Sequence, residues 1–159
     1  MNATEVAAPA SGRTGRTHPL RRIVVTGLVA TLAAMVATAV AAALARAVGV
    51  DFEVPEGGET IPVTGVAVVT GFFSLVGTGI AAALLRWSAR PAERFVWTAV
   101  TLTVVSLVPP VLSGASAATT AALVGLHLVA ATVMVPALTR SLRVNAQRSE
   151  HLTGSVDAE

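Results

Sequence analysis

The sequence predicts an all-α fold, an integral membrane four-helix bundle with antiparallel, up-down topology. The first reason is composition: 53% of the 159 residues are hydrophobic and 13% are charged, whereas soluble domains carry about 25% charged residues. The second is a set of four apolar runs, each near the length that crosses a bilayer as a helix. The third is the position of the arginines, because 10 of 11 would lie on one side of such a bundle.

Composition also excludes several classes of protein. So apolar a chain cannot be disordered as a whole, and a chain with no Cys cannot be a disulfide scaffold. The isoelectric point is about 11.0, but the formal net charge is only +2. The high isoelectric point reflects the absence of Lys, Tyr and Cys, not a strong positive field. We therefore predict no nucleic-acid partner.

The first predicted span covers residues 23–45 and contains no ionisable side chain. At about 1.5 Å per residue, its helix would be about 34 Å long and would cross a bilayer. Secretory signal peptides have apolar cores of only about 7–15 residues, so we expect an uncleaved anchor. Residues 1–20 ahead of it lack periodicity and are predicted to form a disordered cytoplasmic tail.

The second predicted span covers residues 63–85 and is interrupted only by Thr, Ser and Gly, which membrane helices tolerate. Small residues recur at four-residue spacing, as at Gly77 and Ala81 here and at Ala30 and Ala34 in the first span. Such rows let two helix backbones approach closely. Packing between the predicted spans explains them, and a homodimer contact is the alternative.

Two prolines mark the end of the third predicted span, residues 92–112. Pro109 and Pro110 remove two backbone donors, so the helix is predicted to kink or end there. Residues 113–116 form a short external turn, and short connections join antiparallel neighbours.

The fourth predicted span covers residues 117–139. Pro136 lies near its end, where a local adjustment can absorb the lost hydrogen bond. The four spans then form a transmembrane domain over residues 21–142, and residues 143–159 are predicted to form a second disordered cytoplasmic tail.

The arginines predict the orientation of the chain. All except Arg46 fall in the two tails or in the connection between the second and third spans. By the positive-inside rule, both termini are cytoplasmic and the protein is a multi-pass protein of the cytoplasmic membrane. The external loop, residues 46–62, is predicted to be solvated and acidic and to balance Arg46, since it lacks a metal-loop pattern. Its acidic residues are Asp51, Glu53, Glu56 and Glu59.

Tryptophans flank the cytoplasmic connection between the second and third spans. Trp87 and Trp97 are placed where an interfacial aromatic belt is expected. We interpret them, together with the neighbouring arginines, as anchors at the membrane surface rather than as a ligand-stacking site. The arginines of this group are Arg86, Arg90 and Arg94.

His127 is the one side chain of the four predicted spans that titrates near neutrality. Ionisable residues inside a membrane are candidates for function. One interpretation is a neutral imidazole bonded to a hydroxyl of a neighbouring helix, for which the candidates are Thr101, Thr103 and Ser106. The other is a site for a proton or a ligand within the bundle.

Four short segments resemble an actinobacterial family of small four-span membrane proteins of unknown function. They read Ile-Pro-Val-Thr-Gly at 61–65, Ser-Leu-Val-Pro-Pro at 106–110, His-Leu-Val-Ala-Ala at 127–131 and Val-Pro-Ala-Leu-Thr-Arg at 135–140. The likeness covers about residues 22–140. It implies four spans and an actinobacterial source, and it assigns no chemistry to His127.

The sequence favours a structural or partner-binding membrane component over an enzyme. No Asp or Glu accompanies His127 in the uninterrupted apolar runs, the third of which begins at Phe95 after Glu93, so neither a carboxylate pair nor a catalytic triad is formed there. We predict no catalytic, cofactor or metal site. The predicted partners are the lipid bilayer and either another membrane protein or a second copy of the chain. The alternative is a small transporter or channel-like carrier that uses the intramembrane histidine.

Overall fold

Five helices make up almost all of the structure, a computed structural model. It describes the backbone of residues 17–54 and 59–156 and the side chains of residues 19–53 and 60–148. In chain order the elements are α1 (Thr17–Ala47), β1 (Glu53–Val54), β2 (Glu59–Thr60), α2 (Val63–Trp87), α3 (Pro91–Ser106), α4 (Val108–Leu112) and α5 (Ala117–Val156). The two strands pair antiparallel, with Glu53 opposite Thr60.

Four segments of the described chain are long and apolar enough to cross a membrane, as the sequence predicts. Their mean hydropathies lie between 1.9 and 2.3. Lipid offers no hydrogen-bond partners to backbone N–H and C=O groups, and a helix satisfies these groups internally. The segments are Pro19–Ala47, Val63–Trp87, Pro91–Leu112 and Ala117–Arg148, so α3 and α4 together form the third. The all-α, four-span prediction is thus confirmed.

Small residues bring α1 and α2 together. Gly27 lies against the side chain of Thr78, and an added Cβ at Gly27 would overlap it. An added Cβ at Gly71 would lie 2.8 Å from the sulfur of Met35. A larger residue at Gly27 would have to displace Thr78, whose Cβ lies 2.9 Å from the added atom, whereas the flexible end of Met35 could yield at Gly71. At both positions a side chain of one helix packs on the bare backbone of the other.

Two clusters of buried side chains form the core, one toward each end of the bundle. We call the end that holds Arg21, Arg22 and the α2–α3 connection the arginine end, and the opposite end, with segments 48–62 and 113–116, the loop end. The arginine-end cluster is centred on Ile23, Ala30, Ala34, Ala81, Phe95, Met134, Leu138 and Leu142. The loop-end cluster is centred on Ala42, Phe52 and Leu126. Helices α1, α2 and α5 contribute to both clusters, whereas α3 contributes to the first alone.

The α2–α3 turn is built by local backbone preferences. Helix α2 ends where Ser88 becomes extended and its N–H bonds to the carbonyl of Leu84 at 2.9 Å. Pro91 then starts α3, a position where the missing N–H costs nothing. Its ring is buried, as is that of Phe95 one turn later, so the start of α3 is fixed to the bundle.

Helix α5 is longer than the predicted fourth span. It continues to Val156, whereas we expected residues 143–159 to lack regular structure. The reason is packing: Leu142 is fully buried, and the amide of Asn145, itself buried, donates to the carbonyl of Ser141 at 2.9 Å. At the other end α1 starts at Thr17, inside the predicted tail. The remaining parts of the two predicted tails, residues 1–16 and 157–159, lie outside the described residues.

Candidate functional site

Buried hydroxyl groups line the contact between α1 and α2. The Thr38 hydroxyl lies 2.8 Å from the Ala34 carbonyl and 3.2 Å from the Thr70 hydroxyl. About two turns further along α2, toward the arginine end, the Thr78 hydroxyl donates to the carbonyl of Ser74 at 3.0 Å. A hydroxyl bonded across two helices in an apolar medium both holds the helices and fixes their register.

Three buried hydroxyl oxygens of the described side chains have no hydrogen-bond partner. They belong to Thr31 in α1 and to Thr139 and Ser141 in α5. Thr139 and Ser141 lie in the part of α5 that packs at the arginine end. Each is surrounded by protein, so these atoms are closed off from lipid headgroups and water and form no open binding site.

His127 bonds within its own helix. Its Nδ1 lies 2.9 Å from the carbonyl oxygen of Leu123. Since a carbonyl can only accept, Nδ1 donates this hydrogen bond. The residue is half-buried.

The hydroxyls predicted as partners of His127 make other contacts. Ser106 donates to the carbonyl of Thr103 at 2.8 Å, and Thr101 is exposed on the surface of α3. Among the described side chains no hydrogen bond joins His127 to any of the three. Sequence reasoning missed the partner that His127 does have, the Leu123 carbonyl four residues earlier in the same helix. Such a carbonyl is available to any polar side chain on a helix.

The prolines occupy three different settings. Leu107 forms the joint between α3 and α4, with its N–H 3.2 Å from the carbonyls of both Thr103 and Val104. Pro109 is exposed and Pro110 is buried, and both lie within the five-residue helix α4. Pro136 is exposed and sits inside the continuous helix α5.

The external loop is anchored by an aromatic side chain. Phe52 is 1% exposed and adopts a φ of 47°, a conformation that is costly for a residue with a Cβ. Its carbonyl accepts a hydrogen bond from the N–H of Ile61 at 3.2 Å. The guanidinium of Arg46 lies 6.0 Å from the ring centroid and also donates to the Ile61 carbonyl. Burial of Phe52 therefore holds the loop against the bundle.

This arrangement differs from the predicted acidic loop. Arg46 is held by Phe52 and a backbone carbonyl, while Asp51 and Glu53 are exposed. Glu56 and the side chain of Glu59 lie outside the described residues. The signal in the sequence was the set of apolar residues within the loop, because a fully solvated loop has no need of Phe52 or Ile61.

At the arginine end, three of the predicted anchors, Arg90, Arg94 and Trp97, line a groove of about 510 Å³ between α2 and α3. Trp87 is 78% exposed and Trp97 is 69% exposed, as interfacial side chains would be. Arg86, Arg90 and Arg94 are exposed as well. The groove is lined by Leu84, Ala89, Arg90, Glu93, Arg94, Trp97 and Thr98. Within the described part of the chain, no group of three or more His, Asp or Glu side chains is placed to hold a metal ion.

Four membrane-length helices around one apolar core define the class of this chain as a multi-pass α-helical membrane protein. Within that class, the chain belongs to a family of unknown function, DUF6069, which it matches over residues 18–144. This confirms the predicted kinship with an unknown-function family. No curated protein and no solved structure matches the chain.

Proposed function

We propose that this protein is a structural or partner-binding component of the cytoplasmic membrane, and that it holds another membrane protein rather than catalysing a reaction. The observation that carries the proposal is how little of the membrane-length segment formed by α3 and α4 is buried. Of an apolar 18-residue stretch within this segment, 6% is buried, against 33% of the corresponding stretch in the segment of α1. One span of the bundle thus has most of its surface free for another helix.

The free surface is concentrated in the half of α3 nearest the loop end. Among the described residues, none from Val100 to Ser106 belongs to either core cluster. Val104 and Val105 are each about 60% exposed, and the Thr101 hydroxyl is exposed beside them. A threonine at a lipid surface gains nothing from lipid, but it can hydrogen-bond to a helix of a partner.

The same region of α2 is open. A Cβ added at Gly77 would find no atom within 4 Å. Gly77 lies one turn from Ile80 and two turns from Leu84, which pack with the arginine-end cluster together with residues of α3. The gap beside Gly77 and the uncovered half of α3 support a docking surface for a single transmembrane helix.

Site-specific photocrosslinking in native membranes tests this proposal. A photoreactive amino acid at Val104 should give a discrete adduct with another membrane protein. The same amino acid at Val36, on the exposed face of α1, should give only lipid adducts. An adduct of twice the chain mass would identify a second copy as the partner. Identical lipid-only products at both positions would contradict the proposal.

Topology and origin form part of the proposal. Gly27 of α1 contacts Thr78 of α2, whereas Met35 contacts Gly71, which supports an antiparallel pair and an up-down bundle. The exposed arginines of the arginine end support cytoplasmic termini in the cytoplasmic membrane. A chain rich in Ala, Val and Arg, with no Lys, supports an actinobacterial source.

A carrier that uses His127 is the second candidate, and one observation favours it. Since Nδ1 is committed to the Leu123 carbonyl, Nε2 is the ring nitrogen left to bind a proton or a ligand. If the protein is a carrier, liposomes should show a proton or substrate flux that H127Q abolishes. A component that acts through packing should show no flux with either chain.

A further inference from the structure

The groove between α2 and α3 at the arginine end has two chemically different walls. We call Leu84 and Trp97 its apolar wall and Arg90 and Arg94 its cationic wall; Glu93 and Thr98 also line the groove. Its volume, about 510 Å³, accommodates a group much larger than an inorganic ion. The groove is also open rather than enclosed, since its arginines and Trp97 are exposed.

The positive charge of the groove is only partly balanced. Arg90 approaches Glu93 at 3.7 Å, with 80% and 60% of these side chains exposed. This is the one ion pair formed among the described residues, and it leaves Arg94 without an ionic partner there. The cation available to an incoming ligand is therefore Arg94.

The N-terminus of α3 adds to this field. Helix α3 has 16 residues, and the residue before it, Arg90, makes no side-chain hydrogen bond to its first turn. The Glu93 carboxylate, paired with Arg90, already lies in this turn. Pro91 has no N–H, and the N–H of Arg94 bonds to the Arg90 carbonyl. The N–H groups of Ala92 and Glu93 and the helix dipole therefore remain to favour a negative charge. An anion beside Arg94 would thus meet a side-chain charge and a helix end.

The position of the groove sets the kind of anion. Trp87 and Trp97 are exposed on either side of the α2–α3 turn, at the level where aromatic side chains meet the membrane surface. From Trp97 onward α3 is apolar and belongs to the membrane-length segment. A molecule that fills the groove would have its charge at the turn and its apolar part along Trp97 and Leu84.

We propose that this groove binds an anionic phospholipid, with the headgroup phosphate at Arg94 and the first turn of α3 and an acyl chain along Trp97 and Leu84. Basic pockets at the ends of membrane helices suit such headgroups. A soluble phosphate would use the cationic wall and leave the apolar wall empty. This proposal requires that the chain reside in a bilayer and is independent of the proposed partner on α3.

Quenching of tryptophan fluorescence by brominated lipids tests it. The chain has two Trp residues, so W87F leaves Trp97 as the single fluorophore. The W87F protein is placed in vesicles of equal parts phosphatidylglycerol and phosphatidylcholine, with bromine on the acyl chains of one or the other lipid. A contribution from one Arg near the surface predicts about a fivefold preference of the Trp97 site for the anionic lipid.

Matched arginine variants separate the groove from general surface charge. In the W87F background, R94Q should abolish the preference of Trp97 for brominated phosphatidylglycerol. R143Q removes the same charge from an exposed side chain of α5 and should leave the preference intact. Both arginines are exposed, so neither variant is expected to unfold, and equal thermal unfolding in phosphatidylcholine vesicles checks this.

Three results would overturn the proposal. Equal quenching by the two brominated lipids would show that the groove does not select an anionic lipid. Equal losses in R94Q and R143Q would show that the preference comes from overall charge. Loss of the preference on adding millimolar glycerol phosphate would show that the ligand is a soluble phosphate instead of a lipid.

Discussion

The hydrogen bond between the hydroxyls of Thr38 and Thr70 stabilises the α1–α2 pair at a partly buried point of their contact. Thr38 is fully buried, and its hydroxyl lies 3.2 Å from that of Thr70. We expect T38V, which keeps the shape and removes the hydroxyl, to lower the free energy of unfolding by about 1 kcal/mol. Titration with a denaturing detergent, followed by circular dichroism, measures this.

The control for T38V is Thr132, an exposed threonine that also bonds to a carbonyl of its own helix, that of Val129. T132V should therefore change stability little. In the double variant T38V/T70V both partners are gone, so its loss should be smaller than the sum of the single losses. Additive losses would show that the two hydroxyls do not interact.

Phe52 closes the core at the loop end. Its side chain is 1% exposed and packs with Ala42 and Leu126. We expect F52A to cost about 3 kcal/mol, because an aromatic side chain is removed from a packed site. Thermal unfolding in detergent should show a clear loss for F52A and little change for V48A, whose side chain is 82% exposed. Equal midpoints for the two variants would mean that the loop is not anchored by this residue.

Residue types explain why the sequence predicted some side-chain contacts and missed others. Of the predicted small-residue rows, Ala30 and Ala34 on α1 and Ala81 on α2 are buried. A Cβ added at Gly77, however, would meet no atom within 4 Å. The α2 glycine that contacts α1 is Gly71, which the four-residue spacing did not mark.

The bond from His127 to Leu123 was missed because every helical residue has an i−4 carbonyl, so no pattern marks this one. The burial of Phe52 was missed because it involves a positive φ at this residue, and no residue pattern around Phe52 predicts that conformation.

At the scale of helices, the close contact between α1 and α2 depends on Gly27. A Cβ there would overlap the side chain of Thr78. We expect G27A to separate the helices and lower the thermal midpoint, even though alanine favours helix by about 1 kcal/mol over glycine. G79A is the matched control, since a Cβ at Gly79 meets no atom within 4 Å. Its midpoint should stay the same or rise.

The predicted helix ends agree with the structure where the polarity of the sequence changes. They differ where tertiary packing determines how far the helix continues. The connection at residues 88–90 was expected from its charge, and Pro91 fixes where α3 starts. The extension of α5 was not expected, because residues 143–156 are polar and read as a tail. Only the tertiary contacts of Leu142 and Asn145 reveal that this segment belongs to the bundle.

At the scale of the whole molecule, the distribution of arginines predicts a measurable topology. The chain has no Cys, so a single introduced thiol reports its own side of the membrane. In intact cells, D51C should react with a membrane-impermeant maleimide, whereas R143C should react only after permeabilisation. Both positions are exposed, so accessibility within the protein does not limit either reaction. Labelling of R143C in intact cells would reverse the proposed orientation.

The length of α5 has a mechanical consequence. Its 40 residues form one uninterrupted helix, about 60 Å from end to end at 1.5 Å per residue. A bilayer core occupies about half of that length. The rest continues past that core in the same helix, and it is packed against the bundle as far as Leu142 and Asn145 before it extends into the aqueous phase. A fluorophore attached near Arg148 would therefore report tilting of the embedded half as a change in its distance from the membrane plane.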